Sequence, residues 1–290
     1  MKEINFLGKN VRRFYFAVSL IFIIICIVSL FTKGLNYSID FQSGTLIHYK
    51  LENPLNTKQI SEIRRIVNSM FAKSMVQTAS DLKEVWIRTK PLNDEEYKKL
   101  SSELEKILGK YTGKDLTTIE PTISKELTEK AILASVLAVI VMLVYITLRF
   151  RFDYAISAIV GETFVILGTI GLFSIFQWEV SPSFIAALLT LLGYDINDAI
   201  IVFDRIRENI KLYPKEDFVK VANKSINQVL VRTLYTVITT LLAITPLLIM
   251  GGEVLRPFII ALYLGILLGT YSNIFVASGL LTEFREVRKA

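Results

Sequence analysis

Long apolar stretches alternate with short polar segments over most of the chain. A helix of about 20 apolar residues spans the hydrocarbon core of a bilayer, and six stretches reach that length. They lie near residues 12–31, 129–149, 154–176, 182–204, 225–250 and 257–281. The pattern therefore predicts a polytopic α-helical membrane protein with six transmembrane helices.

One long polar segment, residues 32–128, separates the first predicted helix (in residues 1–31) from the other five (in residues 129–290). Alternating and helical periodicities inside it predict strands and amphipathic helices in the order β-α-β-β-α-β. The predicted elements are Tyr37–Leu51, Thr57–Lys73, Ser74–Ala79, Glu84–Thr89, Asp94–Leu108 and Asp115–Pro121. This order predicts a small ferredoxin-like α+β domain.

Composition excludes several classes of protein. Of the 290 residues 52% are hydrophobic, which argues against an ordinary soluble enzyme. The single cysteine, Cys26, lies in an apolar run, so it forms neither an intrachain disulfide nor a cysteine metal cluster. The lone His48 lies in a predicted strand and is interpreted as structural. The polar segment contains no Ser-His pair, phosphate loop or metal-ligand cluster, so we expect a binding or moving part, not an enzyme, with no metal and no cofactor.

The formal net charge of +6 reflects basic residues beside the apolar stretches, which favours membrane orientation over nucleic-acid binding. Basic residues concentrate on one side of the predicted topology: Lys9, Arg12, Arg13, Arg149, Arg151, Arg205, Arg207, Lys211, Lys215, Lys220, Lys224, Arg285, Arg288 and Lys289. The short loops on the other side, 177–182 and 251–256, contain a single basic residue, Arg256. The positive-inside rule then predicts cytoplasmic termini and an extracytoplasmic domain at 32–128.

Ionisable residues inside apolar stretches are candidates for function, because leaving them in lipid costs several kcal/mol. Counting 1.5 Å per residue from the predicted helix ends puts Asp198 and Arg232 both at roughly 9 Å from the cytoplasmic boundary and Glu162 at roughly 12 Å. Asp195 lies three residues before Asp198 and shares its helical face. We predict a proton relay formed by these four residues, in which Asp198 and Arg232 pair if their helices are neighbours and Asp195 and Asp198 share a proton.

A structural interpretation competes with this one, because a buried aspartate–arginine pair can simply fix the register of two helices. Further polar residues accompany the four: Asn197, Asp204, Thr236, Thr239 and Thr240. Asp204 lies near a helix end, where charges reach water. The threonines either satisfy helix carbonyls, hydrogen-bond to a neighbouring helix, or line a hydrated path to Arg232.

Several runs resemble the signatures of the SecF family of bacterial protein-export membrane proteins, within the resistance-nodulation-division superfamily. The longest is Gly193–Asn209. The others are Asp40-Phe-Gln-Ser-Gly-Thr45, Arg232–Thr240, Leu255–Phe258 and Gly269–Ser272. The resemblance extends over nearly the whole chain.

The resemblance implies a role that composition does not reveal. Together with SecD, such a subunit would use the proton gradient to draw secreted polypeptides out of the SecYEG channel. It would have YajC and YidC as further candidate partners, membrane lipid around it, and no nucleic acid. By the same resemblance Asp198 is the proton-handling aspartate and Arg232 the essential arginine. Asp40, Phe41 and Gly44 belong to a hinge motif of the external domain.

Three departures from the family pattern are visible. The family usually has Ser where this chain has Asp195, and His-Asp where it has Gly161-Glu162. Ser43 stands where a glycine is common. Two other functions are weighed against export: a proton-driven small-molecule or lipid exporter of the same superfamily, disfavoured by the six spans and small domain, and a translocon scaffold that does not transduce energy.

Overall fold

The fold comes from a computed structural model that describes residues 4–71, 74–78, 82–250 and 255–287. Its α-helices are α1 (Lys9–Thr32), α2 (Ile39–Gln42), α3 (Thr57–Met70), α4 (Asp94–Leu108), α5 (Pro121–Arg149), α6 (Phe152–Phe176), α7 (Pro182–Leu212), α8 (Phe218–Met250), α9 (Arg256–Tyr271) and α10 (Ser278–Val287). Its strands are β1 (Asn36–Tyr37), β2 (Gly44–Leu51), β3 (Met75–Thr78), β4 (Glu84–Thr89), β5 (Tyr111–Ile119) and β6 (Glu179–Val180). A π-helix, Ser272–Ala277, joins α9 to α10.

Six helical spans of the described residues are long and apolar enough to cross a membrane. They are α1, α5, α6, α7, α8 and the continuous span Arg256–Val287, which contains α9, the π-helix and α10. The predicted class, a six-helix membrane protein with a small α+β domain between the first two spans, is confirmed.

The spans differ in how much of their surface the rest of the chain covers. About half of the apolar part of α6, α7 and the last span is buried, whereas α1, α5 and α8 are largely exposed. Leu133, Val141 and Leu242 are typical of the exposed side chains. Such apolar faces suit lipid or another membrane protein as a neighbour, because both offer an apolar surface.

Glycines allow the closest helix contacts. A Cβ added to Gly171 on α6 would overlap the Cβ and Sγ of Cys26 on α1, and would lie 3.0 Å from the Cα of Cys26. A Cβ on Gly265 of α9 would overlap the side chain of Leu191 on α7. The small residues thus let backbones approach, as is common between membrane helices.

A short segment before α1 is bound by two asparagines of α8. The amide oxygens of Asn223 and Asn227 accept hydrogen bonds from the backbone N–H groups of Phe6 (2.7 Å) and Ile4 (2.9 Å). Their amide nitrogens both donate to the carbonyl of Ile4, at 2.9 and 2.8 Å. Leu7 is fully buried at the end of this segment. Residues 4–7 therefore attach the start of α1 to α8.

Arg12 fixes the same end of α1 to α10. It is 3% exposed and forms ion pairs with Glu283, at 2.6 Å, and with Glu286. A buried arginine needs such carboxylate partners to offset its lost hydration. The contacts bring the first turns of α1 next to α10, as expected for a chain that crosses the membrane six times.

Residues Tyr37–Ile132 form a separate compact unit. Its four-stranded sheet has the order β3-β4-β2-β5, and every neighbouring pair is antiparallel. The central strands are in register at Ile47–Ile87 and Tyr49–Val85. Their buried side chains share one core with α3 and α4. The strand order matches the predicted ferredoxin-like arrangement.

The prediction of one strand over 37–51 is wrong in its first half. The chain forms the helical turn α2 before β2 begins at Gly44. The carbonyl of Ser38 accepts hydrogen bonds from the N–H groups of Phe41 and Gln42, and the Ser38 hydroxyl donates to Asp40 at 2.8 Å. Such local hydrogen bonds from serine and aspartate compete with strand pairing.

The last strand of the domain begins earlier than predicted. It covers Tyr111–Ile119 because it pairs with β2 along its whole length, from Gly44–Ile119 to Leu51–Tyr111. Pro121 begins α5 instead of ending the strand, in keeping with the preference of proline for the first turn of a helix. The predicted ends of α3 at Lys73 and of β3 at Ala79 lie outside the described residues.

The domain contains a charge pair, Glu105 and Lys114, whose contribution to stability we expect to depend on pH. The hydrogen bond from Lys114, at 2.9 Å, lowers the pKa of Glu105 below its ordinary value. Because the folded-state pKa is lower than the unfolded one, the contribution to stability is complete above about pH 4.3 and is lost as the pH falls through the folded-state pKa. We expect Glu105→Gln to reduce the free energy of unfolding at neutral pH by up to about 1 kcal/mol, with the difference vanishing in acid.

The measurement is urea denaturation of the purified chain in detergent at several pH values. Unfolding of the domain is detected by its susceptibility to proteolysis. Glu62→Gln is the control, since Glu62 lies 3.8 Å from Arg65 in an exposed pair. A Glu105→Gln difference that grows in acid would contradict the assigned sign.

Candidate functional site

Two acidic side chains lie on the buried face of α7. Asp195 and Asp198 share this face and are each 3% exposed, whereas Asn197 is exposed on another face. The helix packs against α6, α8 and α9. Both carboxyl groups are thus held inside the helical bundle, away from the lipid-facing surface, where an acid in a membrane helix is least costly.

Glu162 on α6 lies opposite Asp195. It is 4% exposed, and the two carboxyl groups are within hydrogen-bonding reach of each other. One oxygen of each, Oε1 of Glu162 and Oδ2 of Asp195, has no hydrogen-bond partner among the donors of the described residues. The structure therefore brings Asp195 against a second acid on a neighbouring helix as well as one turn away from Asp198.

The π-helix completes the surroundings of Asp195. The amide of Asn273 donates to Asp195 Oδ1 at 2.9 Å and to the Asp195 carbonyl at 3.2 Å. A Cβ on Gly269 would overlap the Asp195 carboxyl group, so only glycine leaves room for it. Ser272 donates to the carbonyl of Gly161 at 2.8 Å and so connects the π-helix to α6. π-Helical turns of this kind are frequent at functional sites.

Arg232 on α8 is the basic residue whose charge acts on Asp198. The two side chains do not form an ion pair within 4.0 Å, and neither forms a side-chain hydrogen bond with the rest of the described chain. Arg232 is exposed on α8, at the edge of this chain. Asp198 thus has a cation nearby without being locked to it.

The hydroxyls of α8 mainly satisfy its own carbonyls. Thr236, Thr239 and Thr240 each donate to a carbonyl one turn earlier, at 2.8 to 3.0 Å. Thr240 also contacts the hydroxyl of Tyr194 on α7, at 3.2 Å. Of the alternatives for these threonines, carbonyl satisfaction and a cross-helix contact are both present.

Asp204 lies two turns beyond Asp198, at the end of the apolar stretch. It is partly exposed and forms ion pairs with Arg149, at 2.6 Å, and Arg207, at 3.2 Å. The first pair connects α7 to the end of α5. The described residues contain no group of three or more His, Cys, Asp and Glu side chains that could hold a metal ion.

The motif of the external unit forms a tight turn. Asp40 and Phe41 lie in α2, with the Phe41 ring 6.3 Å from that of Tyr37. Ser43 follows at φ 58° and Gly44 at φ 143°. A Cβ on Gly44 would overlap the carbonyl oxygen of Thr89, so the glycine is required there. Ser43 adopts a backbone conformation that glycine adopts more easily.

Sequence reasoning missed three contributors to this site. Asn273 was not singled out, and Gly269 and Ser272 were named only as the ends of a run that resembles the family, without a role at this site. A signal existed for Asn273, because an amide inside an apolar helix needs a polar partner. The hydrogen bonds of Asn223 and Asn227 to the segment before α1 had no such signal, since both asparagines lie near a predicted helix end.

Two family models match the chain. One is described as "Protein export membrane protein SecD/SecF, C-terminal" and matches residues 99–287; the other, the "SecD/SecF GG Motif", matches residues 28–54. A protein translocase subunit SecF from Dictyoglomus turgidum is 69% identical over 288 residues, covering 99% of both chains. The chain belongs to the SecF family.

Other relatives are more distant in sequence. The SecF of Vibrio alginolyticus is 38% identical over 96% of this chain and 89% of that protein. The SecDF of Thermus thermophilus is 36% identical over 99% of this chain, which spans 39% of its length. SecF relatives are described as subunits of a translocase, which is a transport role and not an enzymatic one.

Solved structures have the same fold. A crystal structure of the Thermus thermophilus SecDF, described as a translocon-associated membrane protein, has a TM-score of 0.87 at 34% identity, over 98% of this chain and 39% of that one. A SecDF crystal structure in a super-membrane-facing form has a TM-score of 0.72 at 33% identity, over 100% of this chain and 40% of that one. This member of the SecF family is therefore a multi-pass membrane protein with the corresponding portion of the SecDF fold.

Proposed function

We propose that the chain is an accessory subunit of the Sec protein translocase, which uses the proton motive force with SecD to promote the late stage of polypeptide export through SecYEG. The observation that carries the proton-driven part is a buried acid, Asp198, in a membrane helix, with the charge of Arg232 acting on it from the neighbouring helix. Ionisable residues are costly inside a membrane, and those that occur there are candidates for proton paths.

SecD is the first partner in this proposal. The relatives named SecDF are single chains more than twice as long as this one, and this chain matches only 39% of their length. This supports association of the present chain with a separate SecD. The exposed apolar surfaces of α1, α5 and α8 offer area for such a partner, while other parts contact lipid. SecYEG, YajC and YidC, and the translocating polypeptide, are the further partners.

The orientation follows from the charges at the helix ends. Arg149 and Arg151 lie where α5 is followed by α6, and Lys211, Lys215 and Lys220 lie around the connection between α7 and α8. Arg256 is the single arginine of the opposite short loops. The positive-inside rule then puts the ends of the chain in the cytoplasm and the α+β domain outside, in the bacterial inner membrane. Asp198 and Arg232 lie nearer the cytoplasmic side.

Asp198 exchanges the proton in this mechanism. When Asp198 is ionised, the positive charge of Arg232 attracts it; when Asp198 is protonated, that attraction is lost and α7 and α8 shift relative to each other. Residues 4–7 attach the first turns of α8 to the start of α1, and α1 continues in sequence into the external domain. Asp40, Phe41 and Gly44 serve there as the hinge.

The available energy sets the size of each step. One charge crossing 100 mV gives about 2.3 kcal/mol, which biases a two-state rearrangement without driving it to completion. Repeated small movements of the external domain therefore suit this energy source better than one large stroke. Glu162 and Asp195 extend the relay from Asp198 toward α6.

The experiment is export of a secreted protein into membrane vesicles that carry SecYEG and SecD, with and without this chain. We expect the chain to raise the yield of completed export, and a protonophore to abolish the increase. A chain that leaves export unchanged but pumps a lipid or a small molecule would contradict the proposal and favour an exporter. An increase that resists the protonophore would leave the translocase role standing and overturn the proton-driven part.

A further inference from the structure

The carboxyl groups of Glu162 and Asp195 face each other between α6 and α7 in a place where water has little access. The residues are 4% and 3% exposed. The amide of Asn273 occupies Asp195 Oδ1, whereas Glu162 Oε1 and Asp195 Oδ2 receive no hydrogen bond from a donor of the described chain. The two acids are therefore each other's main polar contact.

The basic side chains of α1 and α10 near these helices have other partners: Arg12 pairs with Glu283, and Arg285 pairs with Asp153. The nearest charged group on α7 is Asp198, which is also an acid. Arg232 on α8 acts on Asp198, and it is not among the charges that act on Glu162 or Asp195. On α9, the hydroxyl of Tyr271 is bound to Ser19 of α1 at 2.9 Å. None of these described groups supplies a cation to the pair.

Two ionised carboxylates in contact, buried and without a cation, would repel each other strongly. One proton between them replaces this repulsion with an O–H···O hydrogen bond, in which one acid donates and the other accepts. We propose that Glu162 and Asp195 hold one shared proton and form a second proton-binding site, separate from Asp198. The bound proton then connects α6 to α7, and its loss drives the two helices apart.

The two acids belong to different helices, Glu162 to α6 and Asp195 to α7. A proton between them is therefore a contact between two helices and not within one. The place of the pair in transport rests on the proposed function, but its occupancy by a proton does not.

The test is infrared difference spectroscopy of the whole purified chain, which detects the C=O band of a protonated carboxyl group. At neutral pH we expect the wild type to show this band, with the shift in D2O that a carboxylic acid gives. The double variant Glu162→Gln/Asp195→Asn should lose it, since amides of the same shape carry no titratable proton. Asp198→Asn should keep it.

The outcomes separate this proposal from the proposed function. A band that survives the double variant, or that disappears in Asp198→Asn, assigns the proton elsewhere and overturns the acid pair. A wild type without the band, whether because both acids are ionised or because they hold Na⁺, also overturns it. Titration of the wild-type band with rising pH needs no variant, and the intensity lost should equal one carboxyl group for the two acids. All of these results are independent of whether export needs the proton gradient.

Discussion

Replacement of Asp198 by asparagine should abolish the part of export that depends on the proton gradient, while the level of the protein in the membrane stays normal. The amide has the shape of the acid but does not exchange a proton at physiological pH. Asp198 has no ion-pair or hydrogen-bond partner within the described chain that this change would remove. The variant should therefore fold and assemble.

The expected loss is large because of the energy at stake. About 2.3 kcal/mol per charge at 100 mV corresponds to roughly a fifty-fold bias in a two-state equilibrium, and the variant would lose all of it. The measurement is export into energised vesicles, with the protonophore-sensitive fraction taken as the signal. Asp204→Asn is the matched control: it is the same change on the same helix, but at a partly exposed residue already paired with Arg149.

The same variants distinguish energy transduction from a scaffold role. If Asp198 and Arg232 only hold an assembly together, then Asp198→Asn and Arg232→Gln should both prevent co-purification with SecD and SecYEG. If they transduce energy, the Asp198→Asn chain should still co-purify but fail in export. Normal gradient-dependent export by Asp198→Asn would show that the proton role assigned to this residue is wrong.

Replacement of Gly171 by alanine should weaken the contact between α1 and α6 by about 1–3 kcal/mol. The new methyl group would overlap the Cβ and Sγ of Cys26 and approach its backbone, which a side-chain rotation does not relieve. Gly193→Ala is the matched control on α7, because a Cβ there meets nothing within 4 Å. In a helix interior that change should instead stabilise by up to about 1 kcal/mol.

Thermal unfolding of the two purified variants in one detergent compares them directly. We expect the midpoint of Gly171→Ala to fall below that of the wild type and the midpoint of Gly193→Ala to stay level or rise. Equal shifts for both would mean that the close contact of α1 with α6 does not limit stability, and that only the general effect of glycine in helices was measured.

Much of this architecture could be predicted because it depends on periodic patterns. Six apolar stretches and an alternation of strand and helix patterns between the first two were enough for the fold class. The stretch 37–51 was misassigned because the hydrogen bonds of Ser38 and Asp40 favour a turn that the hydrophobic pattern does not reveal. A turn of this kind depends on a few side chains, whereas strands and helices depend on many.

The candidate site could be predicted from the sequence only in part. Depth counting along each helix grouped Glu162, Asp195, Asp198 and Arg232 in one layer, but depth gives no information on how each helix is rotated about its axis. Rotation decides that Asp195 meets Glu162 and Asn273, and that Asp198 and Arg232 lie near each other without an ion pair. It depends on packing contacts such as that of Gly265 with Leu191.

The π-helix at Ser272–Ala277 determines how the part of the last span after it is rotated relative to the part before it. Gly265 and Gly269 before it and Asn273 within it follow one another at intervals of four residues along the side that meets α7. After it, Glu283 contacts Arg12 of α1. Deleting one residue within the π-helix would restore regular α-helical hydrogen bonding but rotate everything after it by about 100°. The span would then have complete backbone hydrogen bonding but would lose its contacts with α1. The wide turn thus allows one continuous helix to pack against two neighbours that lie in different directions.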